Sequence, residues 1–247
     1  MKKHNNLKKI GAISKSNVVI ALTGWTILVF FLILFSLLSN RNEAFEMARM
    51  QAEIGIEKDM IYRQWNAMQG GVYVPLTEKT SPNPYLDVED KVIETTKGMK
   101  LTLINPAYMT RQVQELASTY SDIKGHITSL NPIRPGNAPD EWETRSLQSM
   151  CTRMEDAESL ATFQKKGNDV CSLDTIDGKP YLRLMRPFYV NEGCLKCHSK
   201  QGYKEGDLRG GISVSIPMEQ IIAVSKSDIR SFLSAIFFSG WAAFSRY

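Results

Sequence analysis

Two cysteines and a histidine form a five-residue pattern late in the sequence. Cys194 and Cys197 are separated by two residues, and His198 follows the second cysteine directly. Two thiols at this spacing can add to the two vinyl groups of a porphyrin, while the adjacent histidine reaches the iron from one side. The pattern is the attachment signature of c-type haem, so it predicts covalent haem c with His198 as the proximal iron ligand.

Three other kinds of site use a closely spaced cysteine pair. A zinc site needs two further ligands, and the sequence has no second pair of this kind. A thioredoxin-like redox pair opens a helix inside a βαβ unit, which the flanking residues do not predict. A structural disulfide would leave His198 without a role. The comparison of these alternatives favours haem.

The ligand on the other side of the iron is left open by the sequence. His126 is the candidate, because the remaining histidine, His4, lies in the N-terminal tail. The alternatives are that His126 is an ordinary surface histidine and that the iron keeps an open site for a gas. Sulfur ligands are further candidates, namely Met68, Met109, Met218, Cys151 and Cys171. The last two cysteines are also able to form a disulfide in an oxidising compartment.

Basic residues near the pattern are candidates for the carboxylates of a bound haem. Arg183 and Arg209 are assigned this cofactor-binding role, because a guanidinium pairs well with a carboxylate. Simple solvation of these charges is the alternative. Gly210 and Gly211 precede the last predicted strand and indicate either a close approach of the backbone or a bulge.

An uncharged apolar run, residues 18–38, is the first element that must position this site. Its 21 residues are enough for a helix across about 30 Å of hydrocarbon. A cleaved signal peptide is the alternative, but the run is too long and no small-residue cleavage motif follows it. Lysines in residues 1–17 place this basic tail in the cytoplasm. The sequence therefore predicts an anchor in a bacterial inner membrane, with residues 39–230 forming a periplasmic domain.

A second apolar stretch, residues 231–247, ends the sequence. It contains an uncharged run of 14 residues, too few to span a membrane unaided. We interpret it as the start of a truncated second membrane helix, with an interfacial or core helix as the alternative. On this interpretation an output domain on the cytoplasmic side is absent from the chain.

The charge of the chain excludes one class of partner. The formal net charge is +4, but five of the 30 basic residues lie before Val18 and a sixth is Arg246. Taking these six away leaves 24 basic residues against 26 acidic ones, so the main domain is slightly acidic. We expect no nucleic-acid partner.

Helices precede strands in the rest of the chain. A long amphipathic helix is predicted by the near-heptad spacing of Met47, Met50, Ile54, Ile61, Trp65 and Met68. Residues 72–84 contain three prolines and are predicted to be a loop. Asp177 and Gly178 predict a tight hairpin between two later strands, and residues 212–216 predict a third. This order indicates an α+β domain.

The sequence resembles the haem-c-binding, PAS-like sensor modules found outside the inner membrane of bacteria, upstream of histidine kinases and diguanylate cyclases. The resemblance covers residues 42–218. It rests on residues 62–66, 70–75, 82–86, 105–112 and 137–143, and on the cysteine pattern with residues 210–213. It implies a PAS-like antiparallel sheet flanked by helices, haem attached at Cys194 and Cys197, and His198 on the iron. Many members have histidine where Gln69 stands, and no kinase or cyclase motif is found here.

These observations together predict a membrane-anchored sensor rather than an enzyme. The periplasmic haem domain is expected to detect redox state or a small gas at the iron and to signal across the membrane. We also expect a homodimer formed through the long N-terminal helix. A membrane-anchored electron-transfer cytochrome c is the alternative.

Overall fold

The computed structural model describes residues 15–155 and 168–224, together with residue 234. Its contacts divide the chain into one unit that spans residues 45–221 and another made of residues 1–44 and 222–247. Two predictions lie outside the described residues. They are those for the N-terminal tail as far as residue 14 and for a second membrane helix over residues 231–247, of which only Ser234 is described.

Helix α1 (Lys15–Met68) is 54 residues long and contains the whole apolar run of residues 18–38. Large apolar side chains are exposed along this run, for example Val19 (61%) and Phe35 (72%). Within the described part of the chain, α1 is the one helix long and apolar enough to cross a membrane. This finding agrees with the predicted anchor.

Seven strands form two antiparallel sheets within residues 45–221. The smaller sheet has the order β1-β3-β2 and contains β1 (Val72–Pro75), β2 (Val92–Glu94) and β3 (Lys100–Ile104). The larger sheet has the order β4-β7-β6-β5 and contains β4 (Lys124–Thr128), β5 (Val170–Ile176), β6 (Lys179–Tyr189) and β7 (Leu208–Pro217). The predicted α+β class is confirmed, although the strands form two sheets where the sequence analysis expects one.

Strand β1 occupies part of the predicted loop over residues 72–84, so that prediction is wrong for Val72–Pro75. The proline that suggested a loop stands at the last residue of an edge strand, where a missing N–H costs no ladder hydrogen bond. The predicted hairpin is confirmed between β5 and β6. Asp177 and Gly178 have φ values of 53° and 77°, which are the left-handed conformations that a type I′ turn requires.

The smaller sheet is followed by helices α2 (Pro106–Ala117), α3 (Glu141–Glu155) and α4 (Glu192–His198). Asn105 caps α2 by accepting a hydrogen bond from the backbone N–H of Tyr108 at 2.9 Å. One face of α3 packs on the larger sheet, where Trp142, Leu147 and Met150 form a buried cluster with Met185 of β6. This packing fixes α3 against the sheet that also carries the two strands flanking α4.

The part of α1 that belongs to the domain, residues 45–68, is buried through its small side chains. Ala48, Ala52, Ile56 and Asn66 are fully buried. A Cβ atom added at Gly55 would lie 3.9 Å from the side chain of Val214, so the helix backbone runs close to β7. The large apolar residues that predicted this helix are exposed instead. Helix α1 therefore packs on the domain through the opposite face from the one that its apolar pattern marks.

Candidate cofactor site

The cysteine pattern lies on the short helix α4, which connects β6 to β7. Asn191 precedes the helix, and its side-chain oxygen accepts a hydrogen bond from the backbone N–H of Cys194 at 3.2 Å. Cys194 and Cys197 are therefore one helical turn apart, and His198 is the last residue of the helix. A 3-10 turn follows and ends at Gly202, whose φ of 85° reverses the chain toward β7.

Two neighbours compete for one ring nitrogen of His198. Nδ1 lies 2.8 Å from the side-chain oxygen of Gln201 and 3.2 Å from Nε of Arg209. Gln201 can only accept a hydrogen bond there, so the shorter contact places a proton on Nδ1. The lone pair of the neutral ring is then on Nε2, which is the form that coordinates a metal.

The electrostatic surroundings of His198 also favour the neutral ring. Burial lowers the pKa of this histidine, and the positive charges of Arg209 and Arg63 lower it further. The hydrogen bond to Gln201 acts in the opposite direction but is outweighed. A histidine in these surroundings stays uncharged near neutral pH and is available as a ligand.

A cavity of about 350 Å³ opens beside His198. Its lining includes the rings of Phe188 and Tyr108, the side chain of Arg209 and the second histidine of the domain, His126. The volume falls within the range of ordinary cofactor and ligand sites. His198 thus lines a space that a planar cofactor could enter, and Cys194 lies on the same short helix outside the lining.

The charge of this cavity is positive. Arg63, Arg111, Arg134 and Arg209 line it, whereas Glu115 is the single acidic residue among the described residues of the lining. Nη1 of Arg63 is buried without a hydrogen-bond partner among the described residues, whereas Nε of Arg111 is buried and lies 3.6 Å from a carboxylate oxygen of Glu115. Buried donors of this kind are costly unless an acceptor satisfies them. The residues therefore fit a ligand that carries carboxylates.

Arg63 is the most deeply buried of these cations. It extends from α1, and its guanidinium lies 4.6 Å from the centre of the Phe188 ring. Burial lowers the pKa of Arg63 to about 10, and the negative charges of Cys194, when ionised, and Asp59 partly offset this effect. Arg63 thereby links the long helix to the surroundings of the cysteine pattern.

The two arginines that the sequence analysis assigns to a cofactor lie in different places. Arg209 lines the cavity, and its guanidinium lies 5.0 Å from the centre of the Tyr203 ring. Arg183 is not among the lining residues. Its side chain is 6% exposed and forms ion pairs with Asp140 at 2.6 Å and Asp174 at 3.2 Å. The structure therefore corrects the assignment of Arg183, whose charge is neutralised inside the protein.

His126 also lines the cavity, but its ring makes two other contacts. Nδ1 lies 2.9 Å from a carboxylate oxygen of Glu143, and Nε2 lies 3.0 Å from the backbone oxygen of Gly136. Burial lowers the pKa of His126, but the hydrogen bond and charge of Glu143 outweigh it and the net effect raises the pKa. A ring that donates to two acceptors has no lone pair for iron. The sixth-ligand role of His126 stays a prediction that would require one of the two contacts to change, such as that of Nε2 with Gly136.

None of the five sulfur candidates for the sixth ligand is among the described residues that line the cavity. Met68 is 75% exposed and Met218 is buried elsewhere. Cys171 is a thiol, so the disulfide between Cys151 and Cys171 is not formed. Burial raises the pKa of the Cys171 thiol.

Gly210 has the close backbone approach that the sequence analysis predicts. Its φ is 156°, and an added Cβ atom would lie 2.2 Å from the backbone oxygen of Thr128. The register of β6 against β7 shifts at the neighbouring pair Phe188 and Tyr189. Because Gly210 has no side chain, β7 can lie directly against the chain that follows β4, at the rim of the cavity.

The sequence analysis missed Arg63 and Arg111. Arg63 stands three residues before the buried Asn66 on α1. Its position on the helix face that carries the small side chains was the available sign that this charged residue faces the domain. Arg111 has no comparable signal, because it enters the cavity only through the position of α2 beside β4.

Taken together, the fold and the site define an α+β domain with a basic cavity beside a cysteine–histidine pattern, preceded by a long apolar helix. The chain belongs to the Tll0287-like family, whose family model matches residues 41–217. Among solved structures it is similar to the crystal structure of the cyanobacterial heme-protein Tll0287, with 15% sequence identity and a TM-score of 0.42. That similarity covers 70% of this chain and 94% of the other. No curated protein matches the chain.

Proposed function

We propose that this domain binds haem c, attached through thioether bonds at Cys194 and Cys197, with His198 as the proximal iron ligand. The observation that carries the proposal is His198 itself. Gln201 holds its Nδ1, burial lowers its pKa, and it lines a cavity that also contains the unsatisfied donor of Arg63. Membership of a family whose namesake is a heme-protein supports the same cofactor.

The residues around the cavity have distinct parts in this proposal. Gln201 orients the proximal histidine, while Arg63, Arg111 and Arg209 supply donors to the cofactor carboxylates. Phe188 and Tyr108 provide the apolar walls that planar rings need. Bound haem supplies a redox-active iron with one axial site that a second ligand can occupy. Nothing in this arrangement requires a catalytic residue, so the proposed role is binding and not catalysis.

The proposed role is sensing at a membrane. Helix α1 contains both the apolar run and Arg63, so a charge change in the cavity acts on a residue of the helix that anchors the domain. Arg63 responds to such a change because its buried cation interacts strongly with nearby charge. We propose that residues 39–230 lie in the periplasm of a bacterial inner membrane, that the stimulus is redox state or a small gas, and that the response is passed to an output domain beyond this chain.

A haem-stained denaturing gel tests the cofactor. The full chain is produced with the bacterial cytochrome c maturation machinery, and the double variant Cys194→Ala/Cys197→Ala is compared with Cys151→Ser/Cys171→Ser. We expect the stained band to disappear in the first variant and to persist in the second. A band that survives in both, or is absent from the unaltered chain, rules out covalent haem.

Protease protection tests the orientation. Spheroplasts that contain the chain are treated with a protease, and the domain is followed with an antibody. Digestion without lysis is expected for a periplasmic domain, whereas digestion that needs lysis would place it in the cytoplasm.

Hydrogen exchange separates a sensor from an electron carrier. We compare amide exchange of residues 59–68 on α1 in the reduced and oxidised protein, with β5 as the internal reference. A sensor is expected to show a change in α1 that β5 does not share. Equal exchange in both states would favour the electron-transfer cytochrome.

A further inference from the structure

The part of α1 that packs on the domain carries a row of large apolar side chains on its outer surface. Met47, Ile54, Ile61 and Met68 stand seven residues apart and are 46%, 52%, 63% and 75% exposed. Met50 and Trp65 lie beside them and are 57% and 54% exposed. We call these six residues the outer stripe.

Helix geometry places the outer stripe on one narrow face. At about 100° per residue, the six side chains fall within an arc of about 60°. The fully buried residues Ala48, Ala52, Ile56 and Asn66 fall on the other side of the helix. The stripe is therefore no part of the domain core, and its apolar surface is left for another molecule.

The spacing of the stripe identifies its occupant. Apolar residues repeated every seven residues form the seam of a left-handed coiled coil, in which two helices of the same kind pack together. A strict seven-residue repeat over three intervals is not needed to contact a membrane surface or a ligand. It is needed when an identical helix lies alongside.

Charges beside the stripe favour a parallel arrangement in register. If Met47, Ile54, Ile61 and Met68 occupy the first core position of each heptad, Glu53 and Lys58 occupy its two flanks. These flanking residues are five apart, which is the offset that brings opposite charges of two parallel helices together. Parallel orientation also follows from the proposed anchor, because two copies in one membrane leave it in the same direction.

We propose that the outer stripe packs against the outer stripe of a second copy of this chain, in a parallel, in-register coiled coil over residues 47–68. Glu57 and Gln64 occupy the second core position of two heptads, so the seam is only partly apolar. Polar residues there weaken a coiled coil, and in an in-register pair the carboxylate of Glu57 faces its equivalent on the other copy. The interface goes beyond the proposed haem function and does not require it.

Position-specific crosslinking in membranes tests the proposal with the full chain. Ile54→Cys and Ile61→Cys are compared with Tyr62→Cys, which is 47% exposed and lies outside both the core and the flanking positions of the heptad. All three are made with Cys151→Ser/Cys171→Ser, and that parent measures any crosslinking through the remaining thiols. In-register helices bring equivalent core residues within disulfide distance. We expect at least fivefold more disulfide-linked dimer at residues 54 and 61 than at residue 62.

Other crosslinking results would overturn the proposal. Equal yields at residues 61 and 62 would show that the stripe is not an interface. Efficient crosslinking between Met47→Cys on one copy and Met68→Cys on another, with little at residue 54 or 61, would show antiparallel helices. The haem-stained gel is run on the same samples, so failure of haem attachment and failure of dimerisation are scored separately.

Solution mass in detergent gives a second measurement. Ile61→Glu is compared with Tyr62→Glu, since both residues are exposed and both variants gain one acidic group. We expect Ile61→Glu to raise the dimer dissociation constant at least tenfold and Glu57→Leu to lower it. Dimer dissociation constants that are the same in Ile61→Glu and Tyr62→Glu would contradict the stripe as the contact.

Discussion

The two histidines of the domain line one cavity and have pKa values shifted in opposite directions. His198 lies among arginines and donates to the neutral side chain of Gln201, and its pKa is lowered mainly by burial. His126 lies against the carboxylate of Glu143, and its pKa is raised. Their residue types are identical, so their neighbours alone set the direction of each pKa shift and decide which ring more readily offers a lone pair to a metal.

The surroundings of His126 form a buried network of charges. Glu143 is 1% exposed and also accepts a short hydrogen bond from Ser213 of β7. Its carboxylate accepts from the backbone N–H of Asp140, whose own carboxylate caps α3 by accepting from the N–H of Glu143. Arg183 pairs with Asp140 in turn. The cavity therefore has an open, basic side at His198 and a neutralised, structural side at His126.

The largest expected effect separates the two histidines by spectroscopy. If haem is attached as proposed, His198→Ala is expected to shift the absorption bands of the reduced protein, because the proposed proximal ligand is lost while the proposed thioether bonds remain. His126→Gln is the matched variant on the other side of the cavity, and its spectrum should resemble that of the unaltered protein. A shift of equal size in His126→Gln would make His126 an iron ligand after all.

The next largest expected effect is on stability, and it concerns the buried network of charges around His126. We expect Glu143→Gln to lower the free energy of unfolding by about 3 kcal/mol, because it leaves His126 and Arg183 with less compensation inside the protein. Urea denaturation monitored by circular dichroism measures this loss. Glu141→Gln is the control, since this residue of the same helix is 88% exposed and should change stability by less than about 0.5 kcal/mol. Equal losses of unfolding free energy in Glu143→Gln and Glu141→Gln would show that the buried network stabilises the fold no more than an exposed residue does.

A smaller effect is expected when Arg63, the buried cation on α1, is replaced. Removal of a buried positive charge near the iron stabilises the oxidised form, so Arg63→Gln should lower the reduction potential by tens of millivolts. Arg49→Gln changes the same charge on the exposed surface of the same helix and should leave the potential nearly unchanged. Redox titration with an electrode measures both. Identical potentials would remove Arg63 from the cofactor surroundings.

The smallest effect is a difference in pH dependence. The pKa of His126 is raised above 6.5, so its contribution to stability is complete below pH 6.5 and is lost as the pH rises through its folded-state pKa. The pKa of Glu143 is lowered below 4.5, so its contribution is present above pH 4.5 and is lost as the pH falls through the folded-state value. The lowered pKa of His198 acts the other way, because the unfolded chain binds more protons there and stability rises with pH.

Thermal unfolding of the haem-free protein across about pH 5 to 8 tests these opposite slopes. We expect His126→Gln to remove the decline of Tm on the alkaline side. His198→Gln should instead remove the rise of Tm from the acidic side. Parallel Tm profiles for the two variants would show that the two rings do not differ in charge state.

Local sequence patterns predicted much of the fold. The hairpin at Asp177 and Gly178 depends on neighbouring residues, and so does the Asn105 cap of α2, which is why both follow from the sequence. The buried face of α1 does not follow from the sequence, because the pattern of apolar residues shows an apolar face without showing what that face contacts. The pairing of Arg183 with Asp140 and Asp174 joins β6 to residues 43 and 9 positions away, so it depends on a tertiary arrangement that spacing cannot reveal.

The site was predictable in its chemistry and not in its surroundings. Cys194, Cys197 and His198 are contiguous, so their relation is fixed by the chain. The neighbours that set charge state come from distant segments, as Arg63 does for His198 and Glu143 does for His126. A single sequence contains no record of those contacts.

The two ends of the buried face of α1 are held by different kinds of contact. Near its C-terminus, Asn66 donates a hydrogen bond to the backbone oxygen of Ile104 at 3.1 Å, and Asp59 accepts one from Gln114 at 2.8 Å. Toward residue 45 the face is made of Ala48 and Ala52, whose short side chains interlock little with their neighbours. A force applied along the helix therefore meets directional hydrogen bonds at Asn66 and Asp59, whereas at Ala48 and Ala52 it meets the packing of short side chains.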